Sequence, residues 1–208
     1  MLFNSTEFLL IFLPIVLIGF YLLRITRKTN NLIFFIIFSS LVFYAWWNVY
    51  YLALILFSIT INFIISRLIS YLFNNTIAKQ YLLILGISIN LSILAYYKYA
   101  NFFIETLNDL NFVSLEALEI ILPLGISFFT FQQIAYLIDL YYGRADKVSF
   151  LKFTLFVTFF PQLIAGPIVH HSQVMSQYNN LGKKNKKILE NLSIGIFFIG
   201  IGLFKKVF

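Results

Sequence analysis

The sequence predicts an all-α fold: a polytopic transmembrane helix bundle with a re-entrant element. Three observations carry this reading. Of the 208 residues, 61% are hydrophobic and 11% are charged, where a soluble domain has about 45–50% and about 25%. The apolar residues gather in runs close to the roughly 20 residues needed to cross a bilayer as helix. Lys and Arg fall in short loops between those runs, where they set orientation. The composition excludes a disordered chain, which is polar and highly charged. With no Cys, it also excludes disulfides, thiolate nucleophiles and Cys-ligated metals.

The first run spans residues 8–23. Its flank, Met1 to Glu7, has no Lys or Arg, and no small-residue cleavage site follows, so it is read as a retained helix rather than a signal peptide. Runs at 32–47, 49–73 and 81–97 follow, apolar all round, as suits burial in lipid and among helices. Arg24, Arg27 and Lys28 place the loop after the first run in the cytoplasm and the N-terminus outside. Arg67 and Lys79 return the chain to the inside. Residues 98–119 carry Glu105, Asp109, Glu116 and Glu119 against a single Lys and fit the outside. The fifth run, 120–142, leads to Arg144, Lys147 and Lys152, again inside.

The run at 150–169 breaks the alternation. Lys183, Lys184, Lys186 and Lys187 follow it, so both of its flanks are basic. Pro161 and Pro167, with Gly166 beside the second, interrupt helical hydrogen bonding within it. Non-helical backbone at membrane depth survives only where protein or water satisfies it. The run is therefore expected to dip in and return, with a kinked crossing as the alternative. A last run at 188–204 completes about six spans plus one re-entrant element.

Polar residues inside apolar runs are costly and face the protein interior. On a helix through the fifth run, Gly125, Phe128, Phe129, Gln132, Tyr136, Asp139 and Gly143 share one face. That face reads equally as the wall of a polar channel or as ordinary hydrogen-bonded glue between helices. Pro161, Gln162, Gly166 and Pro167 are the further channel candidates from the interrupted run. Asn62 and Asn90, with Ser58, Thr60, Ser88 and Ser92, read first as helix-joining groups. The Lys183–Lys187 cluster reads first as a solvated loop that fixes topology, with contact to anionic head groups as the alternative. Basic residues hug membrane boundaries, so nucleic-acid binding is not supported.

No GxSxG elbow, Walker A loop, GxGxxG or HExxH is present. The histidines are His170 and His171. Adjacent histidines on a helix point about 100° apart and make no two-ligand metal face, so no metal site is expected. Either could serve as a general base, because the imidazole titrates near operating pH. The plainer reading is an interfacial pair capping the re-entrant element.

The stretch Leu122-Pro123-Leu124-Gly125-Ile126-Ser127-Phe128-Phe129-Thr130-Phe131-Gln132, continuing to Tyr136, Asp139, Tyr142 and Gly143, resembles the signature of the membrane-bound O-acyltransferase superfamily, in its alginate O-acetyltransferase-like branch. Phe159-Phe160-Pro161-Gln162-Leu163-Ile164-Ala165-Gly166-Pro167-Ile168 resembles that branch's second signature. The opening residues to Phe8 and Pro14, and Gly202-Leu203-Phe204-Lys205-Lys206, are similar to it too. The resemblance implies a multi-pass bacterial inner-membrane protein. It implies an acyl donor such as acetyl-CoA, with no bound cofactor, and a polysaccharide or cell-wall glycan acceptor. It also implies membrane lipid and a periplasmic acetyltransferase as partners, and a funnel with re-entrant segments near its floor. Family members are roughly twice as long, and their catalytic His lies beyond the Phe-Lys-Lys region in a Trp-His context. Here Trp46 and Trp47 precede no His, so the catalytic role is not carried to His170 or His171. The expectation is the N-terminal half of such an enzyme, from a truncated or split chain, completed by a second chain carrying the C-terminal half. The alternatives are a membrane conduit or transport component and a non-functional remnant.

Overall fold

The structure is a computed structural model that describes residues 3–72, 75–110, 114–164, 166, 171–182 and 188–207. Among these residues all regular structure is helical. The chain opens with a wide π-type stretch over Glu7–Phe12 that runs directly into α1 (Leu13–Ile25). Pro14 accounts for the change of pitch, because it has no N–H to offer the preceding turn and crowds it. The Leu13 N–H reaches back five residues to the Phe8 carbonyl instead. Then follow α2 (Thr29–Ala45), α3 (Tyr50–Tyr71), α4 (Thr76–Asp109), α5 (Ile126–Tyr141), α6 (Phe150–Thr158), α7 (Phe160–Leu163), α8 (His171–Asn179) and α9 (Ile188–Val207).

Glu7–Ile25, Tyr50–Tyr71 and Thr76–Asp109 are long and apolar enough to cross a membrane, and Thr29–Ala45 is a shorter apolar helix. Their outer faces carry exposed Ile18, Leu22, Phe34, Phe57 and Leu85. That surface would be untenable in water and is ordinary against lipid. The architecture is a polytopic transmembrane helical bundle.

Two elements depart from the boundaries read in the sequence. The fourth run, placed at 81–97, is part of a helix of 34 residues. At 1.5 Å per residue it is about 50 Å long, against about 30 Å of hydrocarbon, so its polar end projects beyond the membrane. The chain then returns along that projection. Asn108 exchanges two hydrogen bonds with the Leu115 backbone (2.8 and 2.9 Å), and Asn101 exchanges two with Leu118 (2.8 and 2.9 Å). Seven helical residues rise about 10 Å, and three extended residues cover about the same distance. The two asparagines therefore meet both backbones in register. The fifth run, placed at 120–142, becomes helical only at Ile126, because Gly125 holds a left-handed turn (φ 69°) at its start.

The described part of the run at 150–169 holds two short helices. Phe159 is extended (φ −52°, ψ 104°) and separates the 9 residues of α6 from the 4 of α7. Pro161 sits in the first turn of α7, where its missing N–H costs nothing. Together the two helices rise about 20 Å. The Lys152 ammonium donates to Asn179 Oδ1 at 2.6 Å, so the start of α6 and the end of α8 lie at one level. Just beyond, Gly182 packs against Thr29 and the Arg27 backbone, at the α1–α2 turn.

The core is built on α3, α4 and α5. A Cβ on Gly86 would fall 2.7 Å from a Leu137 methyl, so glycine lets α4 and α5 close on each other. One turn on, Asn90 and Asn62 interlock their amides (3.1 and 2.6 Å). Each spends its second N–H on a carbonyl of its own helix: Asn62 on Ser58 at 2.9 Å, Asn90 on Gly86 at 2.7 Å. All four N–H groups are satisfied, which is what lets two amides sit inside an apolar bundle. A second cluster gathers Phe3, Phe8, Phe12, Phe43 and Phe160, with ring centroids 5.1–6.2 Å apart. It ties α7 to α1 and α2.

Candidate functional site

α5 turns Ile126, Phe129, Thr130, Gln132, Gln133, Tyr136, Leu137 and Leu140 inward. Of the face read in the sequence, Gln132 and Tyr136 are buried, Asp139 is half-buried, and Phe128 points away at 38% exposure. Gln132 donates to the Phe156 carbonyl at 2.9 Å. Gln133, which the sequence reading passed over, donates to Ser58 Oγ at 3.0 Å. Two adjacent glutamines in an apolar helix were the available signal, since one helix can direct them to two different neighbours. Tyr136 has its hydroxyl by Ser66 and the Val148 backbone. The Asp139 carbonyl accepts from the Arg144 and Ala145 N–H groups at 2.7 and 3.2 Å, which closes the turn into the loop before α6.

Gly125 is required twice over. Its φ is left-handed, and a Cβ there would lie 2.6 Å from the Leu163 carbonyl oxygen. The start of α5 thus seats the end of α7. Gly166 closes the same corner: its N–H donates to the Gln162 carbonyl at 3.0 Å, and a Cβ would collide with Gln162. Pro167 and His170 lie outside the described residues, as does the Lys183–Lys187 cluster.

His171 opens α8 and is buried at 2% exposure. Its ring lies 4.6 Å from that of Tyr136 and 5.4 Å from that of Phe156. Among the described residues neither ring nitrogen has a hydrogen-bond partner. An imidazole can accept a proton, but among the described residues nothing presents one to it. His171→Phe removes two unpaired nitrogens and keeps the ring stack, so it should retain or raise stability, by up to about 1 kcal/mol. Denaturation of the purified chain and of the variant in detergent checks this, and unfolding of the variant would mean that the imidazole is bonded.

Pro161 and Gln162 border a cavity of about 510 Å³ between α1, α2, α7 and α8. It is lined by Leu13, Leu17, Phe20, Ile36 and Tyr178 among others. Tyr178 is buried, and among the described residues its hydroxyl has no partner. Pro161, with Leu13 and Phe160, also borders a second apolar cavity of about 410 Å³ that reaches Ile199 and Leu203 of α9. Of the channel candidates, Pro161 and Gln162 reach these cavities, and Gln132 and Tyr136 sit in the packed core. Among the described residues no cluster of His, Asp and Glu could hold a metal.

Known proteins match the chain along its whole length. It is 40% identical over 237 aligned residues to the peptidoglycan O-acetyltransferase of Helicobacter pylori, covering 100% of this chain and 44% of that protein. It is 38% identical over 213 residues to the "Probable alginate O-acetylase AlgI" of Pseudomonas aeruginosa, covering 100% and 39%. The protein of the same name from Pseudomonas putida is also 38% identical, at 100% and 42% coverage. The chain thus spans about two fifths of the length of these relatives. No family model and no solved structure matches it.

Proposed function

The chain belongs to the membrane-bound O-acyltransferase superfamily, in its branch of bacterial peptidoglycan and alginate O-acetyltransferases, and on that premise we propose that it forms part of an enzyme that moves acetyl groups across the bacterial inner membrane to hydroxyls of a glycan. It is a multi-pass protein of that membrane. The observation that carries the reading is the match, along the whole of this chain, to two fifths of a peptidoglycan O-acetyltransferase at 40% identity. The donor is an acyl-CoA, such as acetyl-CoA, approaching from the cytoplasm. The acceptor is a cell-wall glycan or an exported polysaccharide. The base that activates the acceptor hydroxyl lies in the part of the relatives' length that this sequence does not cover, on the same or a second chain. A periplasmic acetyltransferase is the expected partner.

In this reading α6, α7 and α8 form a re-entrant excursion. Its helices are too short to cross, Lys152 bonds Asn179 across its two ends, and Gly182 returns to the basic α1–α2 turn. Gly125 and Gly166 hold the floor of the funnel, and Pro161 and Gln162 edge it. Gln132, Tyr136 and Asp139 stiffen the wall behind.

Inverted membrane vesicles from the native host, given acetyl-CoA labelled in the acetyl group, test the proposal. Label should enter the glycan as a base-labile ester, and deletion of the coding sequence should abolish it. Undiminished esterification after deletion would overturn the reading. Unchanged esterification with lost uptake of the labelled donor would point to a transport conduit instead.

A further inference from the structure

The cavity beside α7 has a property that acetyl transfer does not use. It is an apolar slot that ends at a cluster of cations. Along α1 its lining runs from Leu13 to Phe20, about 10 Å of helix. One turn past Phe20, the Arg24 guanidinium sits 5.9 Å over the Phe20 ring. Arg27 and Lys28 follow, both exposed, in the turn that joins α1 to α2. Arg27 holds a positive φ of 55° there, a conformation uncommon for a side chain this large. The opposite wall ends at the same place: Leu181 lines the slot, and Gly182 packs on Thr29 and the Arg27 backbone. One helical turn before Leu181, the Tyr178 phenol borders the slot. Tyr178 is 5% exposed, and among the described residues its hydroxyl has no partner. The Tyr178 ring thus adds apolar wall one turn inside the cationic mouth.

Cations at the mouth and an apolar groove beyond match the order of groups in a phospholipid: phosphate, then acyl chain. We propose that this slot is a binding site for one anionic phospholipid. Its head group lies against Arg27 and Lys28, and an acyl chain lies along Leu13, Leu17 and Ile36. The second apolar cavity, which shares Leu13, Phe160 and Pro161, gives the chain room to continue past α7. The charge at the mouth favours an anionic over a zwitterionic head group. The site stands independently of the acetyl-transfer reading.

Native mass spectrometry of the purified chain reads this directly, after incubation with phosphatidylglycerol and phosphatidylcholine of identical acyl chains. One phosphatidylglycerol should be retained, favoured about tenfold over phosphatidylcholine. The paired change Arg27→Gln with Lys28→Gln should bring the ratio to about one. Leu17→Trp should fill the slot and remove the bound lipid. Equal retention of the two lipids by the unaltered chain would overturn the proposal, as would a preference that survives the paired change or the filled slot. A dimer mass in place of a lipid adduct would assign the groove to a second copy. The paired change lies in an exposed turn, so the proposal stays testable if Leu17→Trp does not fold.

Discussion

Gly125→Ala should destabilise the chain by about 2–5 kcal/mol. A left-handed residue that carries a Cβ costs about 1–2 kcal/mol. Overpacking a closed contact adds about 1–3 kcal/mol, and here the Cβ would meet the Leu163 carbonyl oxygen at 2.6 Å. The two contributions can be separated within the same protein. Gly143 has φ 71° and open space where a Cβ would stand, so Gly143→Ala should show the conformational cost alone. Unfolding in mixed detergent micelles measures both. If the two substitutions cost the same, Leu163 can move away and α7 is not seated on the start of α5. A larger cost at Gly125 means that α5 and α7 are held as one unit.

Phe160→Ala should cost about 2–3 kcal/mol and loosen α7 against its other support. The Phe160 ring packs against Phe8, Phe12 and Phe43 with centroids at 6.2, 5.3 and 5.5 Å. Truncating a buried Phe costs about 3–5 kcal/mol in soluble cores. The value is lower here because lipid is as apolar as the cluster, which leaves packing rather than water exclusion to lose. The Phe160 N–H also donates to Ser40 Oγ at 3.2 Å, and this bond should survive the substitution. A cost below about 1 kcal/mol would mean that the aromatic cluster holds α1 to α2 without needing α7.

Much of this arrangement was legible in the sequence, for physical reasons. A bilayer demands long apolar runs with satisfied backbones, so the helices from Glu7 to Tyr71 sit near the boundaries that composition implies. The interruption near Pro161 was equally visible, because a proline inside a run removes a helical hydrogen bond and crowds the preceding turn. The extension of α4 was hidden. Hydropathy ends where lipid ends, but helix formation does not, and the asparagines that pair the projecting turns with residues 115–118 look like ordinary loop polarity. The start of α5 was misplaced because nothing in an apolar run announces that a glycine will be left-handed. The partners of the polar face were hidden as well. Which amide meets which carbonyl depends on helix rotation, and Gln132 and Gln133, adjacent in sequence, serve Phe156 on one side and Ser58 on the other. The slot beside α7 had no sequence signature, since its walls come from α1, α2, α7 and α8.

Everything assigned to α7, from its seat on Gly125 to the slot at its side, depends on the chain entering and leaving the bilayer on one face between residues 147 and 180. The natural absence of Cys allows a direct test with single cysteines. Lys147 and Asn180 are exposed at the two ends of the excursion, and exposed Glu116 lies in the loop between α4 and α5. A membrane-impermeant thiol reagent is applied to intact cells and to inverted vesicles. Glu116→Cys should react in intact cells, while Lys147→Cys and Asn180→Cys should react only in inverted vesicles. If Asn180→Cys reacts in intact cells alongside Glu116→Cys, the segment crosses, and the re-entrant account is contradicted.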